Sequence, residues 1–262
     1  MRDLTKEMNN TMNFSSHVIK EYKCCKCGQL IKVIRLVING KVRIANRCKV
    51  CDDRELEKEA LQAYKNLQIS KRERLFNEFS LISEGLKKST FENYHPTNKE
   101  LAEAKKIAKD YVDVFNEYKG LMFVGDYGVG KSHLSYSICK EVREKGFTSI
   151  FISVPELLTK LKSTFNNTGI YTEEELLIAL KNVDLLVLDD IGADYPTEWA
   201  ISKLFEVINS RVGKNNVYTT NSNAKELINK VGKRNFSRMM ENIQLVKMNG
   251  NDFRLKNSKI WN

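Results

Sequence analysis

No stretch of the chain approaches the ~18 consecutive apolar residues that a membrane span needs, and Met1 to Asn13 is polar, lacking the apolar core of a secretory leader. Both absences lead to the expectation of a soluble, cytoplasmic protein. Internal repeats and low-complexity tracts are missing as well, which argues against a solenoid or a disordered tail. Cysteine is sparse outside one region. Cys24, Cys25, Cys27, Cys48 and Cys51 cluster, and only Cys139 stands apart. In a chain without a leader that clustering points to metal and a reducing compartment rather than to disulfides.

What is present is a 262-residue chain with 42% hydrophobic residues, enough for one large buried core and one small module. Its 43 Lys and Arg against 33 Asp and Glu give a net charge of +10 spread along the chain, a surface that suits nucleic acid as a partner. Composition changes after Cys51, where Arg54 to Phe76 becomes charged and helical, and again near Lys119 and Gly120, where apolar strands begin. We expect a module over 1–52, a helical linker over 53–88 and a main domain over 89–262. Asn98 to Phe115 carries Leu101, Ala104, Ala108, Val112 and Phe115 at helical spacing. Beyond it, strands at Leu121–Val124, Thr148–Ser153, Asp184–Leu188, Asn216–Thr220 and Ile243–Lys247 alternate with helices, including Lys131–Lys145 and Glu198–Arg211. Short apolar strands separated by helices predict an α/β domain with a five-stranded parallel sheet covered on both faces.

Gly125-Asp126-Tyr127-Gly128-Val129-Gly130-Lys131-Ser132 matches G-x-x-x-x-G-K-[ST], the Walker A pattern, between an apolar strand and a helix. Such a loop turns its backbone N–H groups toward phosphates at a helix N-terminus, with Lys131 reaching the β and γ oxygens and the Ser132 hydroxyl offered to Mg²⁺. His133, next in line, is counted with this nucleotide-binding stretch as a structural rather than a catalytic side chain. Further on, Leu185-Leu186-Val187-Leu188-Asp189-Asp190 is an apolar strand ending in two acids, and it resembles a Walker B motif. There Asp189 is expected to hold Mg²⁺ and Asp190 to polarise the attacking water. The next strand ends at Asn221, a sensor for the γ-phosphate or the lytic water. Cys139, on the helix after the loop, reads as a core thiol.

From roughly Ser89 onward these residues resemble the bacterial helicase loaders of the DnaC and DnaI family and their relatives, the IstB transposition ATPases. The resemblance rests on Ser89-Thr90-Phe91-Glu92-Asn93-Tyr94, the loop through His133 and Leu134, Leu188-Asp189-Asp190-Ile191-Gly192-Ala193-Asp194, Thr219-Thr220-Asn221, and Ser237-Arg238-Met239-Met240-Glu241. It implies an AAA+ ATPase domain whose ATP-driven work is loading the hexameric replicative helicase onto single-stranded DNA. By it Arg238 is the arginine finger, acting in trans after self-association, with Arg234 one helical turn earlier as the alternative. Arg254 would be the second sensor, and the Phe91–Tyr94 segment an alternative holder of the base. The extra helix of these loaders falls on Val154–Phe165, where Lys160 and Lys162 are expected to be exposed and available to DNA. A transposition helper acting on duplex DNA, and a nucleotide-gated adaptor or inhibitor with little turnover, remain the rival functions.

Cys24-x-x-Cys27 and Cys48-x-x-Cys51 enclose β-like Ile31–Ile38 and an Asn39-Gly40 turn. The spacing is that of a zinc ribbon, with four thiolates closing the shell of a structural Zn²⁺. Cys25 offers another register for the first pair. The module is basic, and the resemblance to DnaI-type loaders implies that it docks on the helicase.

Overall fold

A computed structural model describes residues 14–115, 120–164, 171–193 and 197–256. Phe165, Lys119 and Asp194, each used in the sequence reading, lie outside the described residues. The chain forms two compact units, Met1–Gln68 and Ile69–Asn262.

In the first unit β1 (Phe14–Lys23), β2 (Leu30–Ile38) and β3 (Lys41–Ala45) form an antiparallel sheet in the order β1-β2-β3. The expected Asn39-Gly40 turn joins β2 to β3, with φ of 49° and 77° at its two residues, the left-handed pair that a two-residue hairpin loop needs. A bulge between Val18 and Lys20 shifts the register of β1 on β2. Helix α1 (Lys49–Phe79) starts earlier than the Arg54 expected from composition, so Cys51 lies in its first turn, and it continues past Gln68 into the second unit.

The second unit continues with α2 (Glu84–Lys87), α3 (Lys99–Asp113), β4 (Gly120–Gly125), α4 (Lys131–Glu144), β5 (Ser149–Ser153), α5 (Val154–Thr164) and α6 (Glu173–Asn182). It is completed by β6 (Leu185–Asp189), α7 (Glu198–Ser210), β7 (Asn215–Thr220), α8 (Ala224–Val231), α9 (Lys233–Met239), β8 (Ile243–Met248) and α10 (Phe253–Lys256). Asn98 starts α3 by accepting a hydrogen bond from the Leu101 N–H. Strands β4 to β8 make the expected five-stranded parallel sheet, in the order β5-β6-β7-β4-β8. Every residue of β6 is buried, as a parallel strand covered on both faces requires. On one face the sheet packs against Ala104, Ala108 and Val112 of α3 and Leu134, Ile138 and Val142 of α4. On the other it packs against Leu157 and Leu161 of α5, Leu176 and Leu180 of α6, and Leu204 and Ile208 of α7. Burial of Cys139 in the first layer agrees with the core thiol expected.

Lys160 departs from expectation. It is half-buried, and its ammonium donates to the carbonyls of Glu78 (3.2 Å) and Phe79 (3.5 Å) at the end of α1. Those carbonyls lack partners within their own helix, and a cation there is favoured by the helix dipole. Lys162 is exposed, with its ammonium 5.2 Å from the centre of the Trp199 ring.

Candidate nucleotide site and cysteine centre

Parallel strands bring their C-terminal ends to one edge of the sheet, and there the chain leaves β4 into the loop Gly125–Gly130 before α4 begins. Gly130, at φ 93°, caps α4, and a Cβ on it would sit 2.5 Å from the Tyr94 ring. Gly128, at φ 68°, would place a Cβ 1.7 Å from the Asp252 carboxylate. Both positions therefore need glycine for conformation and for space. Backbone bonds stitch the loop to the segment after β8: Asp126 N donates to Met248 O (3.1 Å) and Phe253 N to Gly128 O (3.1 Å). The Asp126 carboxylate accepts from Gly250 N (3.0 Å).

The Lys131 side chain folds back over this loop, donating to the carbonyls of Gly125 (2.9 Å) and Asp126 (2.5 Å). Burial pulls its pKa below the ordinary lysine value, against the opposing pull of Asp190 and Asp189. Asp189 ends β6 at only 6% exposure, and burial raises its pKa to about 6 despite hydrogen bonds from Thr219 and Ser132. Thr219 on β7 is the joint between the two acids. Its hydroxyl donates to Asp189 Oδ1 (2.6 Å) and accepts from Asp190 N (2.8 Å). Asp190 itself is held at φ 55°, in the left-handed region that non-glycine residues seldom occupy.

One cavity of 760 Å³ collects these groups. Tyr127 to His133 of the loop and first helical turn, Asp189, Asp190, Asn221 and Arg254 all line it. His133 is tied by its ring nitrogen to Thr90 O (2.8 Å), in keeping with a structural side chain. The Phe91–Tyr94 segment is split: Phe91 is fully buried in the core, whereas Tyr94 lines the cavity and donates its hydroxyl to Val129 O (2.9 Å). His95, Lys230 and Asn251 also line the cavity. Sequence reasoning missed these three: His95 falls just past the Ser89–Tyr94 motif, and Lys230 and Asn251 belong to no motif. Thr219 had a usable signal: a polar side chain in a strand every residue of which is buried.

Arg238 and Arg234 are not among the cavity's lining residues. Arg238 is 46% exposed and reaches Glu241 at 3.5 Å. The Arg234 guanidinium lies 3.9 Å from the centre of the Phe205 ring, a contact that uses its charged face within its own unit.

In the first unit the sulfurs of Cys24, Cys27, Cys48 and Cys51 all lie within 4.8 Å of one another. Cys24 to Cys51 is 3.7 Å and Cys27 to Cys48 is 3.4 Å. Tetrahedral thiolates about 2.3 Å from zinc stand about 3.8 Å apart, so the donor set fits that ion in chemistry and spacing. Backbone N–H groups of Cys27 and Lys26 lower the Cys24 thiol, whereas desolvation and the neighbouring thiols raise Cys48 and Cys51, so without a cation the four sulfurs do not all favour the thiolate. Cys25 is exposed and outside the cluster.

A five-stranded parallel sheet with a P-loop after β4 and an acid pair at the C-terminal end of β6 defines a P-loop ATPase fold of the AAA+ class. The chain belongs to the family of IstB-like ATP binding proteins, which it matches over residues 61–260. It is 33% identical over 153 residues to the "Replicative helicase loader DnaC" of Escherichia coli (strain K12), covering 57% of this chain and 62% of that protein. To the "Replicative helicase loader DnaI" of Bacillus subtilis (strain 168) it is 38% identical over 93 residues, covering 34% and 29%. Among solved structures, that described as "Crystal structure of the DnaC helicase loader" superposes with a TM-score of 0.59 at 27% identity, covering 63% of this chain and 99% of that one. The chain thus spans less than two thirds of the length of these curated relatives. Among the described residues no helix is long and apolar enough to cross a membrane.

Proposed function

We propose that the chain is an ATP-dependent loader of the hexameric replicative DNA helicase onto single-stranded DNA at the start of replication. The observation that carries this is the single cavity in which the P-loop, Asp189, Asp190 and Asn221 converge, in a chain similar over 153 residues to a protein named for helicase loading. In this reading the loop's N–H groups and Lys131 hold the triphosphate of ATP. Lys131 leaves the Gly125 and Asp126 carbonyls to do so. Asp189 and Ser132 are the residues that fit Mg²⁺: a buried carboxylate with an elevated pKa beside a hydroxyl is a donor pair suited to a hard cation. That ion supplies charge neutralisation at the phosphates. Asp190 orients and polarises the attacking water, Asn221 reads the γ-phosphate, and Arg254, another lining residue of the cavity, senses the same phosphates. Arg238 is the better finger of the two arginines: both are exposed, but Arg234 is engaged over the Phe205 ring, whereas Arg238 meets Glu241 in a surface ion pair. Its action requires a second copy of the chain. The N-terminal unit, closed by Zn²⁺ on Cys24, Cys27, Cys48 and Cys51, carries the helicase contact, and the division at 1–52, 53–88 and 89–262 is retained as a functional one.

The test is to mix the purified chain with the replicative helicase of its source and weigh the complex by light scattering, with and without ATP. An ATP-sensitive complex supports the loader. Absence of a complex in every state removes that reading and favours a transposition helper on duplex DNA, which the match to IstB-like proteins keeps in view. A complex without measurable turnover points instead to a nucleotide-gated adaptor or inhibitor.

A further inference from the structure

The N-terminal unit carries a charge asymmetry that zinc ligation does not explain. From Phe14 to Lys49 there are nine Lys and Arg and a single acid, Glu21, and that acid is already paired with Lys32 at 3.5 Å. All nine cations are exposed. The positive charge belongs to the ribbon and not to the helix that follows. Over the remainder of this unit, Asp52, Asp53, Glu55, Glu57 and Glu59 outweigh Arg54, Lys58 and Lys65.

The strand register sorts these cations by face. Residues directly opposite in a sheet share a face, and in β2 Ile31, Val33, Arg35 and Val37 alternate on one side. Tyr22 lies opposite Ile31, Lys20 opposite Val33, and His17 opposite Arg35. On the other edge Ile44 lies opposite Arg35 and Val42 opposite Val37. One face therefore gathers Lys20, Arg35 and His17 around exposed Tyr22, Val42 and Ile44, with Ile31 and Val33 buried among them. The Lys20 ammonium is 6.0 Å from the centre of the Tyr22 ring. The Tyr22 hydroxyl donates to Asn46 O (3.0 Å), the residue before exposed Arg47.

We propose that this face of the ribbon binds single-stranded nucleic acid. Point charges neutralise phosphates, and an exposed aromatic ring with neighbouring apolar side chains gives unpaired bases a surface on which to stack, without reading sequence. An acidic protein surface would use the same cations, but would gain nothing specific from the ring. The site is separate from the nucleotide cavity and stands whether or not the chain loads a helicase.

The test uses the full-length protein, without nucleotide, and a fluorescent 20-residue oligo-dT in an anisotropy titration at several salt concentrations. Replacing Lys20, Arg35 and Arg47 together by Gln is expected to weaken binding at least about ten-fold near 0.1 M salt, and to flatten the log–log salt slope by about 2. A second variant, Lys23, Lys41 and Arg43 to Gln, removes equal charge from elsewhere on the ribbon and is expected to lose much less. Tyr22→Leu is expected to weaken binding several-fold with the slope unchanged. Unaltered circular dichroism and zinc content verify that the variants fold. The proposal is overturned if the first variant binds as the parent does, if both charge variants lose equally, or if poly-L-glutamate of matched charge competes as well as unlabelled oligo-dT.

Discussion

At the scale of single residues, Thr219 shows how much the acid pair owes to a neighbour that carries no charge. Its one hydroxyl fixes the Asp189 carboxylate and the Asp190 backbone together, so its loss frees one acid and leaves the half-buried N–H of the other without this partner. Thr219→Val keeps the shape and removes both bonds. We expect a stability loss of about 1–3 kcal/mol and a fall of about 10–100-fold in Mg²⁺-dependent ATP turnover. The affinity for nucleotide without Mg²⁺ should hardly change, and Thr219→Ser should restore turnover. Equal damage from Ser and Val would mean that packing, not the hydroxyl, sets the site. Cys139 makes a different point. Burial lifts its pKa to about 11, so the folded state favours the neutral thiol. Its contribution to stability is whole below the ordinary thiol value of 9 and is lost as pH rises from there through 11. Cys139→Ala should therefore show a shallower drop in melting temperature across that interval than the parent. At pH 8 a thiol reagent should label exposed Cys25 in the native protein and leave Cys139 untouched until unfolding.

At the scale of elements, the strand ends opposite the nucleotide cavity are held by one buried arginine. Arg211 follows α7 and is fully buried. It donates to Val183 O (2.5 Å) and Lys181 O (3.1 Å) at the end of α6, and to Asn215 O (2.7 Å) and Asn216 Oδ1 (3.0 Å) at the start of β7. Burial lowers its pKa to about 10, which still leaves it charged at neutral pH. Arg211→Met fills the space but strands several acceptors, and a loss of at least about 3 kcal/mol in a urea melt is expected. Arg211→Lys should rescue little, because an ammonium lacks the planar fork that reaches two elements at once. None of this was legible in the sequence, where Arg211 reads as an ordinary charged residue after a helix. The sheet was legible because its strands are buried on both faces and stand out as apolar runs such as Leu185–Leu188. β1 was not, since its described side chains are all exposed and the bulge at Val18–Lys20 breaks its alternation. The start of α1 was hidden for a related reason: its only buried residues are Phe76 and Phe79, so no apolar stripe marks the first turns. In the site, the P-loop, Asp189, Asp190 and Asn221 could be found from motif and order. The Thr219 joint, the left-handed Asp190 and the absence of Arg238 from the cavity depend on contacts between strands and helices far apart in sequence.

At the scale of the whole molecule, the two units rest on different physics. The second has two extensive apolar layers on either side of its sheet. In the first, among the described residues, only Cys24, Ile31 and Val33 are buried apolar side chains. A core of that size cannot offset the conformational entropy of ordering three strands and a helix. A structural Zn²⁺, worth about 10–16 kcal/mol in small zinc folds, can. Removing it with a strong chelator should therefore unfold Met1–Gln68 while leaving the second unit intact. We expect protease cleavage to become rapid within residues 14–49, loss of oligo-dT binding at the ribbon, and a change of less than about two-fold in ATP affinity. Returning Zn²⁺ should restore protection, and Cys48→Ser should behave as the chelated protein does. A first unit that stays protease-resistant without metal would show that the four thiols hold it by packing alone, a burden that three buried side chains are too few to carry.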